Sequence, residues 1–332
     1  MGKRRLQRPP SPDRQTGDPP RQRAAWQGLW TVVPPSVLVV TGIFSVQLGA
    51  GLAARLFAQI QPAAVTGLRL WTAAAVMVLV GARPLRHALS GLVRRRAWRD
   101  AAVAAGFGVT LVVMNYSIYQ SFARIPLGIA VTVEFLGPLG VAVASSRRLL
   151  DVLWVCLAGT GVALLARGRL RLPHTGVAGH ATSSGQVAVG LAFALLAALA
   201  WAAYILLSRA TGRRFPGSTG LTIAMVVAAI VITPVGVAAG GAALLRPAVV
   251  AAGLAIGLLS SIIPYSLELE ALRRIPARVF GIWMSLEPAA AALVGLVILG
   301  QALAVSEWAA IVCVMVACAG AARGSGAQSA QA

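Results

Sequence analysis

Residues 124–138 read RIPLGIAVTVEFLGP and residues 274–288 read RIPARVFGIWMSLEP. Each stretch opens on Arg-Ile-Pro and reaches a second proline twelve residues on, Pro126 to Pro138 and Pro276 to Pro288. Each holds one acid near its end, Glu134 in the first and Glu287 in the second, in largely apolar sequence. The frames are offset by 150 residues, from Arg124 to Arg274. A duplicated unit with a proline-interrupted apolar segment and an intramembrane acid in each copy is a common plan of secondary transporters.

Composition agrees with a lipid environment. Of 332 residues, 58% are hydrophobic and 11% charged, with a mean hydropathy of +0.79. Soluble chains carry about 25% charged residues, so lipid must cover much of this surface. The net charge is +20, and Lys3 is the only lysine. A basic balance can mark a nucleic-acid binder. Here the arginines punctuate apolar runs, as the positive-inside rule requires, and no nucleic-acid partner is expected. Cys156, Cys313 and Cys318 lie in apolar runs without a CxxC spacing, as small hydrophobes do. His87, His174 and His180 fall in connecting segments, so neither a metal site nor a cofactor is expected.

Residues 1–32 are polar and rich in Arg, Pro and Gln. They read as a disordered basic cytoplasmic tail, too long and polar for the n-region of a signal peptide. Ten apolar runs follow, at 35–56, 62–82, 100–122, 127–146, 150–167, 185–208, 218–241, 248–270, 277–299 and 303–322. Most approach the ~20 residues that span a bilayer as a helix. They divide into two sets of five, residues 33–167 and 185–322, with 323–332 as a second cytoplasmic tail. An odd number of spans per copy inserts the second copy upside down. The expected fold is an all-α membrane protein of ten transmembrane helices in two inverted five-helix repeats. Asn115-Tyr116-Ser117 before the first Arg-Ile-Pro and Pro264-Tyr265-Ser266 before the second agree with this, with a slip of one residue.

Arginine placement sets the expected orientation. The links after spans two, four, six and eight hold Arg83, Arg86, Arg94, Arg95, Arg96, Arg99, Arg147, Arg148, Arg209, Arg213, Arg214, Arg273 and Arg274. The other links are poorer, Arg169 and Arg171 being the exception. Both termini are therefore expected on the cytoplasmic side.

Further stretches carry a family resemblance: Phe44 to Ala50, Val65 to Leu70, Met114-Asn115-Tyr116, Ile125 to Val131, Glu134-Phe135, Gly137 to Leu139, Ser145 to Arg148, Trp201 to Leu206, Ser260 to Glu268, and Phe280 to Ala289. Over residues 33–320 the chain resembles the EamA-type carriers of the drug/metabolite transporter superfamily, and within them the threonine/homoserine exporter family. The resemblance implies a bacterial inner-membrane carrier of small neutral amino acids and makes each five-helix set an EamA-type repeat. The chain departs from the family at Gln301, where an acid usually follows Leu-Gly, and at Glu270, where the family tends to be apolar.

An amino-acid carrier must offer an acceptor to the ammonium and donors to the carboxylate, away from bulk water. Glu134, Glu268, Glu270 and Glu287 lie within apolar runs. A carboxylate there costs at least ~2.5 kcal/mol and should face a cavity or a partner. A mid-helix proline frees the carbonyl four residues back, which is that of Glu134 for Pro138 and that of Met284 for Pro288. Such unpaired backbone is tolerated only inside protein or along a watery cavity, which places a candidate site between spans four and nine. The other reading is a structural kink with a protonated, helix-bonded glutamate.

The candidate substrate-binding residues are Gln47, Asn115, Tyr116, Tyr119, Glu134, Trp201, Tyr204, Tyr265, Glu268, Met284 and Glu287, with Pro138 and Pro288 as kinks. Trp201 and Tyr204 share a helical face; helix packing is the alternative for both. Gln47 is a substrate contact or an interhelical hydrogen bond. Arg69 either snorkels to the interface or partners a buried acid. Glu268 and Glu270 point to different faces of span eight, and Glu270 stands close to Arg273 and Arg274. Protons on Glu134 or Glu287 would be the coupling ion. The chain holds no HExxH, GxSxG or Gly-rich phosphate loop, so an enzyme is not expected. The remaining alternative is a carrier of another metabolite or a drug-like compound.

Overall fold

The computed structural model describes residues 33–94, 97–144, 149–171, 174–175 and 181–325. The expected tails at 1–32 and 326–332 lie outside them. Within them the chain is helical apart from turns and a two-residue antiparallel bridge, His174–Thr175 with Ala181–Thr182.

Span one is Pro35–Leu56, span two Pro62–Arg94 and span three Trp98–Phe122. Span four is two helices, Leu127–Glu134 and Leu136–Ala144; span five is Leu149–Arg171. Span six is Ser184–Gly212 and span seven Thr219–Gly240. Span eight runs Pro247–Gly257, then a π turn at Leu258–Ile262, then Ile263–Leu272. Span nine is Ala277–Met284 and Glu287–Leu299, and span ten is Val305–Ser325. Among the described residues, nine of these are long and apolar enough to cross a membrane. Span five supplies a shorter apolar stretch, Val152–Leu165. The chain is an all-α membrane protein.

The sequence sets the helix ends. Proline occupies the first helical position of spans one and eight, where its missing N–H would be unpaired in any case. Ser183 and Gln186 close a capping box on span six. Gly300 ends span nine in the left-handed region at φ 67°, open to glycine without a Cβ penalty.

Two segments differ from the sequence-based expectation. The link 83–99 is largely helical: span two bends at Gly81 (φ −107°, ψ 18°) and runs on to Arg94 with Pro84 inside it. His87 therefore sits on a helix. A proline three residues past a bend lies in a first turn, where it is tolerated. Likewise Pro138 and Pro288 do not kink continuous helices. Spans four and nine each break into two, and both prolines fall in the first turn of the second piece.

The packing keeps its pattern when spans one to five are exchanged with spans six to ten. Span two packs on seven, four on nine and five on ten. Span three packs on six as span eight packs on one, and three on seven as eight on two. Small residues allow the close crossings, as between helices in lipid. A Cβ on Gly128 would lie 2.7 Å from Ala292 Cα, and one on Gly137 would lie 2.2 Å from the Ala198 carbonyl oxygen. The largest buried cluster, including Tyr119, Ile125, Ile129, Val133 and Phe135, surrounds the first half of span four.

Candidate functional site

The helix breaks place the acids. Glu134 is the last residue of the first half of span four, whereas Glu287 is the first residue of the second half of span nine. The carboxylates thus occupy opposite sides of equivalent breaks. Glu287 is 7% exposed and Glu134 9%. The Gln47 amide on span one donates to Glu287 Oε1 at 2.9 Å. Glu287 Oε2 and Gln47 Oε1 are buried without a protein partner. Orphaned polar atoms in an interior are costly, and here two belong to one hydrogen-bonded pair of side chains.

Span eight contributes a local distortion within a continuous helix. Pro264 cannot donate to a preceding carbonyl, and the helix widens to a π turn just before it, a distortion that often accompanies function. Two carbonyls of the turn are used by other spans. Ser45 donates its hydroxyl to the Leu259 carbonyl at 2.8 Å, and Arg69 Nη2 donates to the Ser260 carbonyl at 2.9 Å. Ser260 Oγ is buried and unpartnered.

Arg69 does not snorkel. Its face of span two is pressed onto span eight, with Leu68 against Gly253 and Thr72 against Gly257, and the side chain points inward. Besides Ser260, Nε approaches Ser261 Oγ at 3.4 Å and Nη1 approaches the Tyr119 hydroxyl at 3.5 Å. The guanidinium carbon lies 5.7 Å from the Tyr119 ring centre, within cation–π range. Glu134 and Tyr265 are within its electrostatic reach.

Glu268 completes the group. It stands beside Gly42 of span one, where a Cβ would lie 3.6 Å from its Cγ. It interacts electrostatically with Glu287, Tyr204 and Tyr265. Glu287 also interacts with Glu134 and Arg69. Carboxylates from spans four, eight and nine therefore share one region with one guanidinium from span two. Glu270 faces away and pairs with Arg273 at 3.3 Å and with Arg274.

The other candidates divide. Tyr204 and Tyr265 pack against one cluster with Leu111 and Phe107, and the Tyr204 ring lies 5.2 Å from that of Phe107. Trp201 meets Phe135, the residue after Glu134, edge to face at 5.0 Å. Tyr119 is fully buried between Phe57 and Phe122. Asn115 returns its amide to the Leu111 carbonyl of its own helix at 2.8 Å. Tyr116 contacts Phe193 at 6.3 Å. Met284 packs in an apolar cluster with Leu38, Ile43 and Trp283. Sequence reading passed over Ser260, Ser261 and Glu307. The Ser-Ser pair four and three residues ahead of Pro264 was the available signal for the π turn. Glu307 is buried and accepts from the Ala304 N–H at 2.8 Å, capping span ten. Among the described residues no His/Cys/Asp/Glu cluster could hold a metal ion.

The two ends of spans four and nine differ. Every residue of Leu127–Glu134 is buried, and no residue of Ala277–Met284 is. Two cross-span bonds lie at the tightly packed Leu127 end. Arg55 donates Nη2 to the Ile298 carbonyl at 2.6 Å, and Gln301 Oε1 accepts the Leu127 N–H at 3.0 Å. Gln301 therefore supplies a side-chain acceptor for an unpaired N–H at a helix start, a role an acid fills equally well. Gln301→Ala is expected to cost about 1 kcal/mol, lowering the melting temperature of detergent-solubilised protein, whereas Gln301→Glu leaves it near wild type.

Comparison with known proteins agrees with this architecture. The EamA-like transporter family matches residues 188–323. The chain is 38% identical over 270 residues to the threonine/homoserine exporter RhtA of Escherichia coli strain K12, covering 81% of this chain and 84% of that one. Identity to RhtA of Salmonella typhimurium strain LT2 is 37%, with the same coverage. A solved crystal structure at 20% identity superimposes with a TM-score of 0.51 over 86% of this chain and 96% of its own, and shares the fold. The chain belongs to the EamA-like transporter family, a transporter family and not one of enzymes, and within it resembles the threonine/homoserine exporters.

Proposed function

We propose that this protein is an inner-membrane exporter of small neutral amino acids of the threonine/homoserine type. It works by alternating access about a site between spans four and nine, with proton exchange on Glu134 or Glu287 and both termini cytoplasmic. The convergence of Glu134 and Glu287, each at a helix break, with Glu268 and Arg69 carries the reading. Such a group offers acceptors to an ammonium and donors to a carboxylate in one desolvated place. Identity of 38% to exporters of threonine and homoserine supports the cargo.

The unequal half-helices support alternating access. Tight packing at the Leu127 end and loose packing at the Ala277 end suit a carrier closed on one side and open on the other. The test is efflux of labelled threonine and homoserine from a bacterial strain lacking its own exporters. Both leave faster when the protein is expressed, faster still with acid outside, and a protonophore abolishes the gain. Rings at Phe107, Phe135, Trp201 and Tyr204 favour a second reading, efflux of a larger aromatic metabolite. Efflux of such a compound with neither amino acid exported selects it.

A further inference from the structure

We propose that Arg69 is the residue that binds the carboxylate of the transported molecule, so that the carrier selects free α-amino acids over amines lacking the acid. This rests on the amino-acid reading above and assigns one of its determinants.

An arginine at this depth is expensive and calls for a partner. The partners Arg69 has are neutral: the Ser260 carbonyl, Ser261 Oγ and the Tyr119 hydroxyl. Only the first contact is short; those at 3.4 and 3.5 Å are at the limit of hydrogen bonding. A guanidinium has five N–H groups in a planar fork that matches a carboxylate. Arg69 therefore holds one bond that fixes its position and keeps donors for another acceptor.

The protein's own carboxylates do not take those donors. Glu134 and Glu287 interact with Arg69 through space, yet neither is among its hydrogen-bond partners, and Glu287 is held by Gln47 instead. Arg69 and Glu287 are thus each bonded to neutral groups rather than to one another. A zwitterion bridges such a separation, its carboxylate on the Arg69 fork and its ammonium on the acids. Holding the Ser260 carbonyl of the π turn would not by itself require a cation with a fork, since Ser45 holds the Leu259 carbonyl with a hydroxyl.

The test is competition against labelled threonine counterflow in proteoliposomes, using unlabelled threonine and threoninol, which has an alcohol in place of the carboxylate. The wild type should prefer threonine about 10–100-fold, the range of a charge-assisted bond. Arg69→Gln should bring the ratio near one. Arg69→Lys, which keeps the charge but loses the fork, should lower it several-fold. A purely structural arginine would change the amount of folded protein but not this ratio. Equal competition by threonine and threoninol in the wild type overturns the assignment. So does a wild-type ratio in Arg69→Gln or, if that variant does not reach the membrane, in Arg69→Lys. Failure of the exporter reading is distinct: no counterflow of any amino acid by the wild type.

Discussion

Glu287→Gln abolishes pH-driven export of threonine while the protein still reaches the membrane in wild-type amount. The substitution is nearly isosteric, and a glutamine carbonyl can still accept from the Gln47 amide that now reaches Oε1 at 2.9 Å. In the proposed mechanism the substitution removes a group able to bind and release a proton, together with its charge toward a substrate ammonium. Loss of one charge-assisted contact corresponds to about a 10–100-fold fall in rate, and loss of coupling removes the remaining response to a pH gradient. Efflux into acidic and neutral medium, with surface-independent quantification of membrane protein, reads both effects. Export within about twofold of wild type that still rises with external acid would remove Glu287 from the mechanism.

Gly128→Leu stops transport by a different route. A Cβ at Gly128 lies 2.7 Å from Ala292 Cα and Cβ and 3.0 Å from Ala292 N. The obstacle is largely backbone, which cannot rotate away, so spans four and nine must separate at their tightly packed end. Overpacking of this kind costs about 1–3 kcal/mol, enough to disfavour this packed arrangement by about 5–150-fold. Gly140, in the second half of the same span, has nothing within 4 Å of a Cβ, and Gly140→Ala serves as the control. Threonine export and the melting temperature of purified protein should both fall in Gly128→Leu and stay near wild type in Gly140→Ala. Full activity in Gly128→Leu would mean that this crossing need not close.

The twin Arg-Ile-Pro frames made the architecture legible because their matched spacing can be read without any structure. The ten runs, a disturbance near each second proline and the separate faces of Glu268 and Glu270 follow from residue type and helical period. The helix breaks themselves needed the structure. Proline chemistry marks a disturbance, but a kink and a break share that signal, and only packing decides between them. Arg69 was ambiguous for a similar reason. An arginine near a span start can reach the interface or turn inward, and the choice depends on span eight, which presents Gly253 and Gly257 to span two. The π turn went unread because a proline in span eight has no twin: Asn115 occupies the matching place in span three and bonds back to Leu111 without breaking its helix. The asymmetry of the site thus arises partly where matching positions of spans three and eight differ, Asn115 against Pro264.

Counterflow of labelled threonine into proteoliposomes holding only this protein, preloaded with unlabelled threonine, tests the central claim most directly. The account predicts transient accumulation that excess homoserine abolishes and that Glu287→Gln impairs. Uptake no greater than in protein-free liposomes, with the protein folded and inserted, would contradict it.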